Sequence, residues 1–205
     1  MLKVGLTGGI ATGKTTVASM LRDCDVPLLN ADTIGHELLE PGQDAYDEIV
    51  AVFDEDILDA DGKVNRAKLG GVIFADAQKR ARLNQILHPR ILEIVEKWFA
   101  ALDEPGGPEF AVVEAALIFE ARYNQKLNKI IVCWCLPEQQ MGRLTLRGLS
   151  VEEAQQRIAA QMPLSDKRKL ADEAIDCSGS IEETQRQVNQ VAEKLKLSGT
   201  GRNIP

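Results

Sequence analysis

The chain carries the stretch GGIATGKT at Gly8–Thr15, close to its N-terminus. This stretch matches the pattern G-x-x-x-x-G-K-[ST] at every fixed position. An apolar run, Leu2–Thr7, precedes it and predicts a buried strand, and Thr15–Arg22 follows with helical composition. A glycine-rich turn between a strand and a helix directs backbone N–H groups at an anion, and the positive end of the helix dipole adds to the attraction. The stretch therefore predicts a phosphate-binding loop.

Two side chains of this loop add groups that a nucleoside triphosphate requires. The Lys14 ammonium supplies a point charge for the β- and γ-phosphates, and the Thr15 hydroxyl can ligate Mg²⁺. Gly8 and Gly13 allow the backbone to fold tightly round the anion. The loop does not specify the reaction, however, and three classes compete: a small-molecule kinase, a GTPase-type switch and an ATP-driven motor or assembly protein.

A guanine-nucleotide switch needs a segment that recognises guanine, typically Asn-Lys-x-Asp after a strand. The candidate segment, Asn128–Ile131, has Ile131 in place of the aspartate. A D-x-x-G match at Asp59–Gly62 lies in a polar turn that no apolar strand precedes. The sequence therefore disfavours a switch.

A kinase needs a base for the acceptor hydroxyl and cations for the charge that develops during transfer. Asp32 follows a second short predicted strand, on the side where open α/β sheets bind ligands. Arg143 and Arg147 lie four residues apart on one predicted helix face and could neutralise the phosphates. Glu114 ends a buried strand, where a carboxylate could steady Mg²⁺ or its waters. Each residue also has a structural alternative, which is capping for Asp32 and Glu114 and a solvated helix face for the arginines.

Strands alternate with helices along the chain, which predicts an α/β protein with a parallel sheet. The predicted strands are Leu2–Thr7, Pro27–Asn30, Phe110–Val113, Lys129–Leu136 and Ala174–Asp176. The helical blocks at 60–102 and 138–165 exceed what crossover connections need, so they are candidate inserted subdomains. Within a long helical stretch at 66–102, Pro89 predicts a break or a new first turn. Later helices are expected at 138–147, 151–161 and 181–196.

The composition excludes several other classes of protein. With 205 residues, 44% hydrophobic and 27% charged, the chain is typical of a soluble globular protein, and its net charge of −7 argues against general nucleic-acid binding. No apolar run is long enough for a transmembrane helix, and the early glycines do not fit a signal peptide. We therefore expect a cytoplasmic protein without membrane partners. The four cysteines lack Cys-x-x-Cys spacing and predict buried reduced thiols rather than a zinc site.

The opening Leu6–Ala18, LTGGIATGKTTVA, resembles that of the dephospho-coenzyme A kinases. Further motifs of that family follow in order, and the likeness spans about residues 2–190. They are Asn30-Ala31-Asp32, Leu39-Glu40-Pro41-Gly42, Leu87-His88-Pro89, Glu114–Glu120 (EAALIFE), Gln140-x-x-Arg143-x-x-x-Arg147, Arg157-Ile158-x-x-Gln161-Met162 and Lys167-x-x-x-Ala171-Asp172. The phosphate loop alone is unspecific, but the ordered set of later motifs is highly specific.

The resemblance implies a P-loop NTPase fold, with three α/β/α layers, a parallel sheet, a helical acceptor-binding insertion and a helical lid. It implies ATP-dependent phosphorylation of the ribose 3′-hydroxyl of dephospho-coenzyme A, the last step of coenzyme A synthesis, with Mg²⁺ as cofactor. One kinase domain is expected at 1–197, with its core at about 1–60, 108–137 and 170–197, the acceptor-binding subdomain at about 60–105, the lid at about 138–165 and a flexible tail at 198–205. A monomer or weak homo-oligomer is expected.

The resemblance also implies roles for individual residues. The expected catalytic residues are Lys14, Asp32, Arg143 and Arg147, with Asp32 aligned to the family's proposed base and the arginines to its lid. ATP is expected on Gly8, Gly9, Ile10, Ala11, Thr12, Gly13, Lys14, Thr15 and Thr16. The acceptor is expected at Thr7, Asp32 and His88, and Mg²⁺ at Thr15 and, through water, at Glu114.

Four positions depart from the family's pattern. Asn30 replaces the first aspartate of Asp-Ala-Asp, which leaves Asp32 as the base. Glu114 replaces an aspartate and reaches one methylene further, and Ala116 replaces a proline. Cys177 stands where asparagine is common near the adenine. None of these removes a group that the chemistry requires, and two alternatives stay open: a P-loop kinase for another small hydroxyl acceptor, and a nucleotide sensor that transfers no phosphate.

Overall fold

The strands of the sheet are β1 (Leu2–Gly8), β2 (Leu28–Asn30), β3 (Phe110–Glu114), β4 (Lys129–Trp134) and β5 (Glu173–Asp176). In the computed structural model, which describes residues 1–200, they form one sheet in the order β2-β3-β1-β4-β5. The pairs β1–β3, β1–β4 and β4–β5 are parallel. This confirms the predicted α/β class, and it places the loop after β1 at the centre of one edge of the sheet.

The helices among the described residues lie between these strands in the chain and after the last of them. They are α1 (Lys14–Asp23), α2 (Ala31–Glu37), α3 (Tyr46–Phe53), α4 (Arg66–Ala75), α5 (Ala77–Leu102), α6 (Pro137–Leu146), α7 (Val151–Ala159), α8 (Leu164–Leu170) and α9 (Ile181–Thr200). Two short 3₁₀ helices lie at Glu55–Ile57 and Tyr123–Lys126. No helix within residues 1–200 has the length and apolar character that crossing a membrane would require.

Backbone contacts divide the chain into two compact units. The first contains residues 1–29 together with the described residues from 99 to 200, and the second contains residues 30–98. The acceptor-binding subdomain expected at about 60–105 overlaps this second unit and stays a prediction. Helices α2, α3 and α4 and most of α5 belong to it.

The sheet of the first unit is buried on both faces. Because side chains alternate along each strand, successive residues point into opposite cores. On β4, Ile131 and Cys133 face a core that α1 and α9 complete. Ile130 and Val132 face the opposite core, against which Leu164 of α8 packs. The near-continuous apolar character of these strands follows from this double burial.

The long helical stretch is interrupted at Asp76 and not at Pro89, so the prediction of a break at Pro89 was wrong. The Asp76 carboxylate accepts hydrogen bonds from the backbone N–H groups of Gln78 and Lys79, at 2.8 and 3.1 Å, which begins α5. Pro89 lies inside α5, which continues unbroken to Leu102. A proline costs one helical hydrogen bond, but buried apolar side chains on both sides of it, such as Leu83 and Val95, hold the helix together.

Two other elements differ from the predictions. The sequence did not predict α8, a short helix in which Lys167, Arg168 and Lys169 follow one another. The last helix continues to Thr200, so residues 198–200 are helical where a flexible tail was expected to begin. The remainder of that tail, 201–205, lies outside the described residues.

Helix α9 begins with a reciprocal cap. The Ser180 hydroxyl accepts from the Glu183 N–H at 3.2 Å, and the Glu183 carboxylate accepts from the Ser180 N–H at 2.8 Å. Because this cap satisfies N–H groups that the helix leaves unpaired, it stabilises a helix that covers one face of the sheet.

We expect Ser180→Ala to lower the free energy of unfolding by about 1 kcal/mol, because the cap hydroxyl is lost. Urea unfolding followed by circular dichroism measures this change. Ser198→Ala, an exposed serine near the other end of α9, is the matched control and should change stability by less than about 0.5 kcal/mol. Equal effects of the two substitutions would contradict the capping role.

Candidate active site

The phosphate loop connects the central strand β1 to α1 through two left-handed backbone positions. Ala11 has φ of 59° and Gly13 has φ of 104°. A Cβ atom at Gly13 would come within 2.9 Å of the Cys177 Cβ, and one at Gly8 within 2.6 Å of the Cys133 carbonyl oxygen. Glycine is therefore required at both ends of the loop by close contact with the chain that packs behind it.

The Lys14 ammonium lies 2.7 Å from the Glu114 carboxylate. Glu114 ends β3, in register beside Leu6 of β1, and its side chain is only 1% exposed, against 13% for Lys14. This ion pair holds the lysine at the root of the phosphate loop. The structure thus brings together a residue expected to bind phosphate and a residue expected to help hold Mg²⁺. Thr15 and Thr16 follow in the first turn of α1 with exposed side chains.

A second lysine lies behind the loop. Lys167 of α8 is fully buried, and its ammonium donates to the Ala116 carbonyl at 2.8 Å and pairs with Glu120 at 3.0 Å. It also approaches the Gly8 carbonyl oxygen, at 3.5 Å. Burial lowers the pKa of Lys167, and the bond to Glu120 opposes this shift. Lys167 belongs to a motif of the resemblance, but sequence reasoning gave it no role.

The buried Thr7 hydroxyl also donates to the Ala116 carbonyl, at 3.1 Å. Thr7, expected at the acceptor, therefore helps to fix the chain after β3. Ala116, which replaces a proline of the family's pattern, supplies the carbonyl that both Thr7 and Lys167 use. This segment supports the phosphate loop from the side of β3.

The first of the two predicted lid arginines reaches the loop. Arg143 of α6 donates to the Ala11 carbonyl at 3.2 Å and to the Cys177 carbonyl at 2.7 Å. Arg147, the residue after α6, is exposed, and its side chain has no hydrogen bond or ion pair within residues 1–200. The structure therefore brings Arg143, but not Arg147, to the phosphate loop.

Two glutamines, which sequence reasoning noted only as motif positions, contact the same loop. Gln140 of α6 donates its amide N–H to the Ile10 carbonyl at 2.7 Å. Gln161, between α7 and α8, accepts from the Ile10 N–H at 2.8 Å. Their place in the motifs was visible in the sequence, but their contact with the backbone of one loop residue was not.

Cys177 occupies the position where the family's pattern commonly has asparagine. Its carbonyl accepts from Arg143, and its side chain lies against Gly13. Cys133 hydrogen-bonds to the Cys177 sulfur, which lowers the pKa of Cys177, while burial raises the pKa of Cys133. All four cysteines are free, and Cys24 is only half-buried, unlike the other three.

Asp32 and the two histidines lie in the second unit. Asp32 is exposed in the first turn of α2, and the helix cap there is Asn30, whose side chain accepts from the Thr33 N–H at 3.0 Å. Asp32 is therefore not the cap, which had been its structural alternative. His88 is half-buried on α5, and burial lowers its pKa. His36 is exposed and its pKa is also lowered, chiefly by partial burial and then by Arg66.

Within residues 1–200, no group of three or more His, Cys, Asp or Glu side chains could by itself hold a metal ion. A divalent cation at this site would therefore share its ligands with the phosphates. The Thr15 hydroxyl, adjacent to Lys14 at the start of α1, is the oxygen best suited to contribute. The chemistry of the loop fits a nucleotide-bound Mg²⁺ and no protein-only metal site.

Comparison with known proteins extends over nearly the whole chain. The family model for dephospho-CoA kinase matches residues 2–183. A dephospho-CoA kinase of Listeria monocytogenes is 43% identical over 197 residues, which are 94% of this chain and 96% of that protein. The resemblance found in the sequence is thereby confirmed.

Solved structures agree with this result. The crystal structure of TT1252 from Thermus thermophilus has a TM-score of 0.80 at 28% identity, covering 95% of this chain and 97% of that one. A dephospho-CoA kinase from Campylobacter jejuni has a TM-score of 0.70 at 25% identity, covering 96% of this chain and 98% of that one. The P-loop kinase fold is therefore confirmed.

We expect Lys14→Met to lower the free energy of unfolding by about 3 kcal/mol, because it leaves a buried carboxylate without its ammonium partner. Urea unfolding measures the loss. The matched control is the double variant Lys14→Met/Glu114→Gln, which should recover most of the stability because the charge has been removed. If the double variant is no more stable than Lys14→Met, the ion pair is not the reason for the loss.

Proposed function

Because this chain belongs to the dephospho-CoA kinase family, we propose that it transfers the γ-phosphoryl group of ATP to the ribose 3′-hydroxyl of dephospho-coenzyme A. The products are coenzyme A and ADP, which makes the reaction the last step of coenzyme A synthesis. The observation that carries this proposal is the phosphate loop at the centre of the sheet edge, in a chain similar to the family over residues 2–183. Such synthesis belongs in the cytoplasm, where we propose that the protein works, as a monomer or weak homo-oligomer.

In the proposed complex, ATP lies on Gly8–Thr16. The loop N–H groups and the N-terminus of α1 attract its phosphates, and Lys14 contacts the β- and γ-phosphates. The buried pair with Glu114 supports this role, because it keeps the ammonium beside the loop before nucleotide binds. Thr15 would hold Mg²⁺, with Glu114 reaching it through water, and the ion would neutralise charge on the phosphates.

Asp32 is the proposed base. Its carboxylate orients the 3′-hydroxyl and accepts the proton while the oxygen attacks phosphorus in line with the departing ADP. Two observations support the assignment: the side chain is exposed, and Asn30 already caps the helix. The acceptor is proposed to bind at Thr7, Asp32 and His88, with residues of about 60–105 forming its subdomain.

The lid, residues of about 138–165, is proposed to close over the phosphates and exclude water. Arg143 supports this role because its guanidinium already contacts the loop carbonyl of Ala11. Arg147 is the second cation of the lid, and its exposed side chain is available to the transferring group when the lid closes. Phosphoryl transfer then proceeds mostly by positioning and charge neutralisation.

We expect Asp32→Asn to reduce kcat by about 10²- to 10⁴-fold, because the base is lost while the side chain keeps its size. The affinity for ATP, measured by calorimetry, should change little. Asp47→Asn, an exposed aspartate in the first turn of α3, is the matched control and should leave kcat unchanged. Near-normal turnover by Asp32→Asn would remove this residue from the mechanism.

We expect ADP release with ATP and Mg²⁺ to require dephospho-coenzyme A, with the phosphate appearing on the ribose 3′-oxygen. The assay compares dephospho-coenzyme A with a panel of nucleosides and sugars and identifies the product by NMR. Turnover only on another acceptor would support the alternative of a different small-molecule kinase. Binding of ATP without turnover on any acceptor would support a nucleotide sensor.

A further inference from the structure

The backbone of one phosphate-loop residue, Ile10, is held by the predicted lid through both of its flanking peptide groups. The Ile10 N–H donates to the Gln161 Oε1 at 2.8 Å, and the Ile10 carbonyl accepts from the Gln140 Nε2 at 2.7 Å. Gln140 is only 6% exposed, so its amide is committed to this contact. The function described above uses neither glutamine.

The hydrogen bond from Gln140 orients the whole peptide group between Ile10 and Ala11. A trans peptide is planar, so the Ile10 carbonyl and the Ala11 N–H point in opposite directions. Within residues 1–200 the Ala11 N–H has no hydrogen-bond partner, which leaves it for an anion. By holding the Ile10 carbonyl, Gln140 therefore sets the direction of an N–H group that can meet phosphate.

The neighbouring groups are held in the same way. The Gly9 carbonyl accepts from the Thr12 hydroxyl at 2.9 Å, and the Ala11 carbonyl accepts from Arg143 at 3.2 Å. The Ile10 N–H, bound by Gln161, is then the loop N–H that is directed at the lid rather than at a ligand. The arrangement divides the loop into groups that bind the protein and groups that remain for phosphate.

Both ends of the α6–α7 segment contact the backbone of Ile10. Gln140 lies in α6, before the turn to α7, and Gln161 follows α7, so the chain leaves Ile10 and returns to it. A change in the backbone conformation of Ile10 would therefore disturb both ends of the segment between these glutamines.

We propose that Gln140 and Gln161 are positioning residues, which clamp the backbone of Ile10 on both sides so that the phosphate loop is held ready for nucleotide. The clamp acts through the loop and contacts neither substrate. This inference rests on the proposed function for its nucleotide, but it concerns ATP binding alone and is independent of the acceptor.

The test measures the Kd for ATP and Mg²⁺ by calorimetry, without acceptor, in Gln140→Met, Gln161→Met and the double variant. Methionine keeps the length of glutamine and removes its hydrogen bonds. Since one hydrogen bond is worth roughly two- to tenfold in an equilibrium constant, each single variant should weaken ATP binding by about that factor. The double variant should bind ATP no more weakly than about the worse single variant, because an Ile10 backbone released on one side has already lost its orientation.

A positioning role is separated from a merely structural one by kinetics. The variants should raise the KM for ATP and leave the KM for dephospho-coenzyme A unchanged, whereas a loss of folded protein would lower kcat and leave both KM values alone. Gln155→Met, an exposed glutamine of α7, is the matched control and should bind ATP normally. If dephospho-coenzyme A is not turned over but the variants still weaken ATP binding, the clamp stands and the proposed acceptor fails.

Three results would overturn the clamp. They are an unchanged Kd in both single variants, losses that multiply in the double variant, and tighter ATP binding by Gln161→Met, which would mean that Gln161 competes with phosphate. If Gln140→Met does not fold, the proposal is tested instead in the wild-type chain, by measuring the hydrogen exchange of the Ile10 N–H with NMR. Slow exchange of this N–H both with and without ATP supports the clamp, and fast exchange without ATP overturns it.

Discussion

A loop that binds phosphate must keep some of its N–H groups available while its carbonyl groups, which repel the anion, are bound elsewhere. In this loop, side-chain donors approach the carbonyl oxygens of four consecutive residues. Those of Gly8, Gly9, Ile10 and Ala11 are approached in turn by Lys167, Thr12, Gln140 and Arg143. The donors come from α8, the loop itself and α6, so the site depends on chain segments far apart in the sequence. The fold brings these donors together at one loop.

The buried charges of the site follow from the same constraint. Lys14, at the start of α1, is paired with Glu114, while Lys167 lies on the carbonyl side of the loop and is paired with Glu120. Each ammonium is kept in a largely buried place by a carboxylate, because an unpaired buried charge would be costly. Glu114 is the last residue of β3 and Glu120 lies six residues later, so one short segment at the end of β3 supplies both carboxylates. This explains why the segment EAALIFE carries an acid at each end.

Much of this arrangement could be predicted from the sequence, and the part that could not has a physical reason. The strand, the glycine-rich turn and the helix are local, so the pattern at Gly8–Thr15 was sufficient to predict them. The structural roles of Lys167 and Gln161 depend on which distant backbone group each side chain reaches, and no local pattern records that. The prediction of a break at Pro89 was wrong because the burial of apolar side chains along α5 offsets the helical hydrogen bond that the proline loses. The role of Asp32 stays a prediction from its position in the sequence, and only the structure assigns the helix cap to Asn30.

The glycines at the ends of the loop have an evolutionary consequence. Gly13 lies against the Cys177 side chain, and Gly8 lies against the Cys133 carbonyl and side chain. The room for a side chain at position 177, near the end of the last strand, is thus limited by a residue at the start of the first helix. Replacements there must stay compact or be accompanied by changes around the loop. The size of the side chain at position 177 should therefore vary little among such proteins, although this position lies far along the chain from the loop that limits it.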